Sequence, residues 1–479
     1  MLRRGAFILL VSAVSAMAQR PPVDSASRWV DSILAPLASR QSPGCAVGVR
    51  ENGGLVLAKG FGMADLEHDT QITPETPFYI ASLSKQFTAM AVVLLARDHR
   101  LSLDDSIRKW VPEVPSFGAP ITLRELLHHT SGLRDYFTLL AVSGWPTDGH
   151  LTEHDFLALV GRQKSLNFAP GDEFLYSNTG YALLSIVVKR ASGQSLRDFA
   201  AERIFKPLGM MHTEYRDDHT SLIRERALGY QPEGQRYRLS QPQFDVVGDG
   251  GVYSTIDDLA KWDANFETGR VGGKEGIELM QTPGRLNDGQ EIQYALGLNV
   301  GDFRGHTTYS HSGAYGGYRS AMLRIPSERL TVITLCNASN VPPTLAEQVS
   351  RVFLGVADQK ASVARTGAPA SLMAFGAAQA PADSTGARKR NDQLAQLEGT
   401  YYSVELDMAV SLTPRDGVLV LSRPRTSDLR FVPLADDLLM SSDQMLLRVV
   451  RDTENRVTGF ALTVNRVRDL AFVKRDSVP

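Results

Sequence analysis

Ser82-Leu83-Ser84-Lys85-Gln86-Phe87-Thr88-Ala89-Met90-Ala91-Val92-Val93-Leu94-Leu95 is the stretch on which the reading of this chain turns. From Gln86 onward it is apolar on nearly every side, the pattern of a buried helix. Residues three apart on a helix share a face, so Ser82 Oγ can meet Lys85 Nζ. A lysine opening a buried helix is partly desolvated and sits at the positive end of the helix dipole, and both effects lower its pKa. Once neutral it could take the hydroxyl proton and make Ser82 a nucleophile. The spacing alone carries little weight, because Ser-x-x-Lys should occur about twice by chance in a chain this long. Taken alone, it is better read as a capping serine beside an exposed lysine.

Two further motifs change that balance. Tyr176-Ser177-Asn178 follows the Pro170-Gly171 turn and precedes a helix beginning near Gly180. A phenol beside a lysine ammonium can be held partly ionised, and so relay protons as base and then as acid. Asn178 offers an amide that can donate to a substrate carbonyl and accept from Lys85; a packed loop tyrosine and a helix cap are the plainer alternative. His311-Ser312-Gly313 stands before Ala314-Tyr315-Gly316-Gly317 and a strand. Gly313 lets backbone approach a ligand closely. Oxyanion stabilisation needs two donors, which the backbone N–H groups of Ser82 and Ala314 would supply. His311 could orient or protonate substrate, or be a hydrogen-bonded loop histidine.

In order and spacing the three motifs resemble the active-site pattern of the serine β-lactamase and penicillin-binding protein hydrolases. The resemblance is greatest to the class C-related branch, where Tyr-x-Asn replaces Ser-x-Asn. It extends to Leu126-Leu127-His128-His129-Thr130-Ser131-Gly132-Leu133, to Gly250-Gly251-Val252-Tyr253-Ser254-Thr255, and to Asp258, Leu259 and Trp262, covering residues 25 to 355. It implies an α+β fold, with a five-stranded antiparallel sheet flanked by helices, an all-helical lobe and the site in the cleft between them. It also implies that Ser82 is the nucleophile and that Lys85 and Tyr176 share the base and acid roles. Asn178, His311, Ser312 and Gly313 would bind substrate, with no organic cofactor and no metal. The third motif usually opens with lysine, and here His311 stands there. A neutral imidazole holds a carboxylate less well than an ammonium. The expectation therefore moves from β-lactam turnover to a DD-peptidase-, D-aminopeptidase- or esterase-like hydrolase. Its substrate would be a D-amino-acid peptide, peptidoglycan-derived ones included, or a small ester. The alternatives are a β-lactamase, or a penicillin-binding sensor with little turnover.

Around this core the chain divides into four. Arg3 and Arg4 before the apolar run Ala6–Val14, with Ala16-Met17-Ala18 after it, predict a signal peptide over 1–18, cleaved after Ala18. The run is too short to cross a bilayer, so a secreted or periplasmic protein without an integral membrane span is expected. Residues 19–357 form the hydrolase unit, opened by a helix carrying Trp29, Val30, Ile33, Leu34 and Leu37, which Pro36 should distort. Strand pairs at 45–50 with 55–59, and at 318–325 with 330–335, suggest one antiparallel sheet assembled from both ends of the unit. Residues 358–392 are rich in Ala, Gly, Pro and Ser and read as a linker. Residues 393–479 carry short strands and an Asp416-Gly417 turn, a small all-β barrel or sandwich. It resembles the lipocalin-like domains that some members of the family append.

The 479 residues are 43% hydrophobic and 22% charged, with 51 Lys plus Arg against 53 Asp plus Glu. That balance leaves no basic footprint for nucleic acid. Cys45 and Cys336 are too few for a disulfide scaffold. The family fold places them on neighbouring strands, where a bond is geometrically awkward, so two buried thiols are expected. His128-His129 point apart on a helix and read as structural.

Overall fold

The computed structural model describes residues 20–146, 149–355 and 393–475. The leader through Ala18 and the 358–392 linker lie outside the described residues. The central sheet is antiparallel, in the order Asn299–Phe303, His306–Tyr315, Tyr318–Ile325, Leu330–Cys336, Cys45–Glu51, Gly54–Phe61. Cys45–Glu51 and Leu330–Cys336, from the two ends of the larger unit, pair within the sheet, with Ala46 opposite Leu335 and Val49 opposite Val332. The Asn52-Gly53 turn has both residues at positive φ, as a tight hairpin requires. Six strands stand where five were expected. The added edge strand, Asn299–Phe303, holds Gly301 and Asp302, poor strand formers that hide it in the sequence.

Val23–Leu34 and Leu345–Phe353 cover one face of the sheet, burying Ala26, Val30 and Leu34 against Val349, Val352 and Val47. Trp29 is not part of that stripe: it is 40% exposed, because the buried residues recur as 26, 30 and 34. Pro36 falls in a 3-10 turn that ends the helix. The other face carries Ile256–Thr268 and the helical lobe, in which Lys85–Arg97 packs on Asn178–Ser192. Among the described residues no helix is long and apolar enough to cross a membrane.

Cys45 and Cys336 are directly opposed in the register, with Cα atoms 4.0 Å apart, and form a disulfide. The expectation of free thiols is overturned because the register sets the two directly opposite, close enough for the bond that adjacent strands were expected to disfavour.

The C-terminal unit is a closed eight-stranded antiparallel barrel in sequence order, Gly399–Ser403 to Val467–Arg475, sealed by Thr400 opposite Arg475. Tyr401, Phe431, Phe460 and Phe472 fill its interior. The barrel sits on the helical lobe. Arg134, wholly buried, forms an ion pair with Glu405 of the barrel and donates to the carbonyls of Arg468 and Asp469.

Candidate active site

Ser82 lies in the 3-10 turn Ala81–Ser84, which runs into the helix Lys85–Arg97. Ala81 is held at φ 47°, a left-handed conformation costly for a residue with a Cβ. The turn is fixed from several sides. Ser84 Oγ donates to the Ala81 carbonyl at 2.6 Å and Ser320 Oγ donates to the Ile80 carbonyl at 2.6 Å. Within 81–95, Ser82 alone escapes burial, and it opens into a cleft of about 510 Å³.

Lys85 is fully buried beneath it. Its Nζ donates to Ser82 Oγ at 3.2 Å, Asn178 Oδ1 at 2.9 Å and the Asp249 carbonyl at 2.7 Å. Desolvation pulls the ammonium down to about 7, against the opposing charges of Asp249 and Asp135. Burial raises the neighbouring Asp249 carboxyl, which accepts from Tyr136 Oη at 3.0 Å.

Tyr176 lines the cleft with Ser82, and its ring centre is 4.9 Å from Lys85 Nζ. Desolvation raises its phenol, outweighing the lowering by Ser82 and by Arg466. The phenol is therefore held protonated, not partly ionised as the sequence suggested. Its loop is anchored by His129, whose Nδ1 accepts the Ser177 N–H at 3.1 Å. Asn178 opens the next helix. Its backbone N–H and its Nδ2 both donate to Asp135 Oδ2, at 2.7 and 2.8 Å, which turns Oδ1 toward Lys85.

His311 borders the same cleft but is not poised to exchange protons. Its Nδ1 is 2.7 Å from the Ser312 carbonyl, so it carries the hydrogen, leaving Nε2 to accept from Tyr294 Oη at 3.1 Å. Burial, with Lys85 nearby, lowers this imidazole to about 3, so it stays neutral. Ser312 and Ala314 lie on the exposed side of the strand and line the cleft. Residues 311–315 extend past the last pairing with the edge strand, at Ser310, leaving that edge open toward Ser82. Gly313 has a packing reason: a Cβ there would lie 2.2 Å from the Ile80 carbonyl oxygen. The third motif can approach the turn that carries Ser82 only as glycine.

Three participants escaped the sequence reading. Asp135 and Asp249 stand beside quoted motifs, after Gly132-Leu133-Arg134 and before Gly250, but no spacing rule marks them. Arg466 comes from the barrel, in the two-residue turn joining Val457–Val464 to Val467–Arg475. Its guanidinium carbon is 4.6 Å from the Tyr176 ring centre, its Nη1 is 3.7 Å from Asp135 Oδ2, and it lines the cleft with Ser82. Phe137, Tyr79 and Tyr315 supply apolar wall. His128 and His129 are buried and take different partners, the Tyr294 carbonyl and the Ser177 N–H.

The arrangement can deprotonate a hydroxyl, bind an anion and exclude bulk water from a buried amine. Comparison with known proteins shows what the chain is similar to. The sequence pattern of the Beta-lactamase family matches residues 28–356, stopping short of the barrel. A D-aminopeptidase of Brucella canis is 31% identical over 323 residues, 67% of this chain. A D-aminopeptidase of Gluconobacter oxydans is 28% identical over 339 residues, 70% of this chain. The chain spans 61% and 63% of the lengths of these two relatives. The octameric penicillin-binding protein homologue from Pyrococcus abyssi superposes with a TM-score of 0.62 at 25% identity, covering 95% of this chain and all of that one.

Proposed function

The chain belongs to the Beta-lactamase family, and from that premise we propose that it is an exported serine hydrolase working through an acyl-enzyme on Ser82. The observation that carries the proposal is the buried Lys85 amine, 3.2 Å from Ser82 Oγ and lowered toward neutrality. Neutral Lys85 takes the Ser82 proton as Oγ attacks the carbonyl carbon. The backbone N–H groups of Ser82 and Ala314 stabilise the oxyanion. The protonated Tyr176 gives its proton to the leaving nitrogen or oxygen and recovers one from Lys85, and the C–N or C–O bond breaks. Water then attacks the ester carbonyl by the same route reversed, releasing the acid and restoring Ser82.

The substrate class follows from charge. His311 is neutral and occupied on both nitrogens, so it does not replace the ammonium usual at that place. Arg466 brings the missing cation from the barrel. The carboxylates around the site, Asp135 and Asp249, are buried and already hydrogen-bonded. A substrate carboxylate thus finds a partner where a free ammonium does not. We assign the enzyme to D-amino-acid peptides or related acyl compounds bearing a carboxylate near the scissile bond. This differs from the activity named for its D-aminopeptidase relatives. The same cation would hold the carboxylate of a penicillin, so acylation by β-lactams is expected.

A matched pair of D-alanyl-D-alanine peptides, one a free acid and one a C-terminal amide, tests this. The parent should favour the acid at least tenfold in kcat/KM, and Arg466→Met should abolish that preference. Equal turnover of both by the parent would overturn the assignment.

A further inference from the structure

His150 and His219 lie 95 and 26 positions before Asp245 along the chain, yet all three side chains meet. His150 Nε2 is 2.7 Å from Asp245 Oδ2, His219 Nδ1 is 2.9 Å from Asp245 Oδ1, and the two imidazole centres are 4.2 Å apart. We propose that these three side chains form a binding site for one divalent ion of the zinc class, separate from the Ser82 centre.

Two imidazoles and one carboxylate are the donor set of open zinc sites, with remaining positions left to water. One ligand atom from each of the three side chains lies within 4.8 Å of the other two. Ligands stand about 2.0–2.2 Å from zinc and hence more than about 3 Å from one another, so seating the ion needs the two imidazole–carboxylate pairs to open by about half an ångström. His150, 44% exposed, is free to move.

The backbone already assembles the set. The Asp245 N–H donates to the carbonyl of Leu151, next to His150, at 3.0 Å, and the His219 N–H donates to Asp245 Oδ1 at 2.7 Å. Two ligand segments are thus tied to the third, and one carboxylate oxygen is oriented by a donor that is not a ligand. A cavity of about 230 Å³ beside Asp245 is also lined by Glu153, Lys189 and Asp217, of which Glu153 pairs with Lys189 and Asp217 with Arg197.

The site would brace the catalytic cleft. Phe244, adjacent to Asp245, packs on Phe137 and Tyr315, two walls of that cleft, and Asp249 follows four residues later. An ion here clamps the 149–151 and 217–221 segments onto the loop that leads to Asp249.

Protein stripped with a chelator, full length, is titrated with zinc chloride by calorimetry, and cobalt(II) is added separately for its visible absorption. One ion per chain is expected, with a cobalt band in the d–d region. Affinity should fall at least tenfold in Asp245→Asn and in His150→Ala, the latter an exposed position whose fold circular dichroism can verify. Ser82→Ala should bind as the parent does. No uptake by the parent at micromolar zinc would overturn the proposal. So would unchanged affinity in a folded His150→Ala/His219→Ala variant, because the ion would then lie elsewhere.

Discussion

Replacing Glu405 by Gln should weaken the whole enzyme from a position in the barrel. Arg134 and Glu405 have side chains 0% and 5% exposed, so their ion pair is shielded from water on both sides. Glu405 Oε2 also accepts the Lys164 N–H at 2.8 Å. Gln preserves shape and one acceptor but leaves a buried guanidinium without its counter-charge. Breaking a buried pair costs about 3–5 kcal/mol. Arg134 keeps the carbonyls of Arg468 and Asp469 and the Ser165 hydroxyl, which places the cost near the lower end, about 3 kcal/mol. That is roughly a hundredfold in the unfolding equilibrium. Function should follow, because Asp135, which holds Asn178, is the next residue, and Arg466 enters the cleft only while the barrel stays docked. Urea unfolding by tryptophan fluorescence and kcat/KM on a carboxylate-bearing substrate read both effects. A loss below about 1 kcal/mol, the range of an exposed pair, would refute the reasoning about the latch.

Asp249→Asn removes a negative charge that favours protonated Lys85, so the Lys85 pKa should fall further. Activity requires neutral Lys85 and rises with pH through its pKa, so the rising limb of the kcat/KM profile should move to lower pH; a shift to higher pH would contradict this sign. Gly313→Ala places a Cβ against the Ile80 carbonyl, immediately before the nucleophile turn. Overpacking of about 1–3 kcal/mol, with displacement of the oxyanion donors, should cost about a hundredfold in kcat/KM, measurable on any acyl substrate. Replacing both Cys45 and Cys336 by Ala should lower stability by about 2–4 kcal/mol in urea unfolding, with catalysis unchanged, because the bond ties strands away from Ser82.

Local chemistry was legible in the sequence where one short segment supplies it. Ser82 and Lys85 share a helical face, and the Asn52-Gly53 and Asp416-Gly417 turns declare their hairpins through residues that tolerate positive φ. What depended on long-range register was not legible. The Cys45–Cys336 pairing follows from strand register across 291 positions, which residue types do not encode. Trp29 misled because it keeps a four-residue spacing with Ile33 and Leu37, one position off the true stripe, to which the small Ala26 belongs. The charge state of Tyr176 was misjudged because neighbouring charge was visible and burial was not. Arg466 left no trace at all: an arginine in a two-residue turn is ordinary until the barrel is docked against the cleft.

The central claim is that Ser82 carries the acyl group. The most direct measurement is intact mass, then peptide mapping, of protein quenched within seconds of mixing with an activated D-amino-acid ester, alongside Ser82→Ala. The account expects one acyl group on the peptide containing Ser82 in the parent and none in the variant. An acyl group mapped to another residue, or equal turnover by Ser82→Ala, would contradict it.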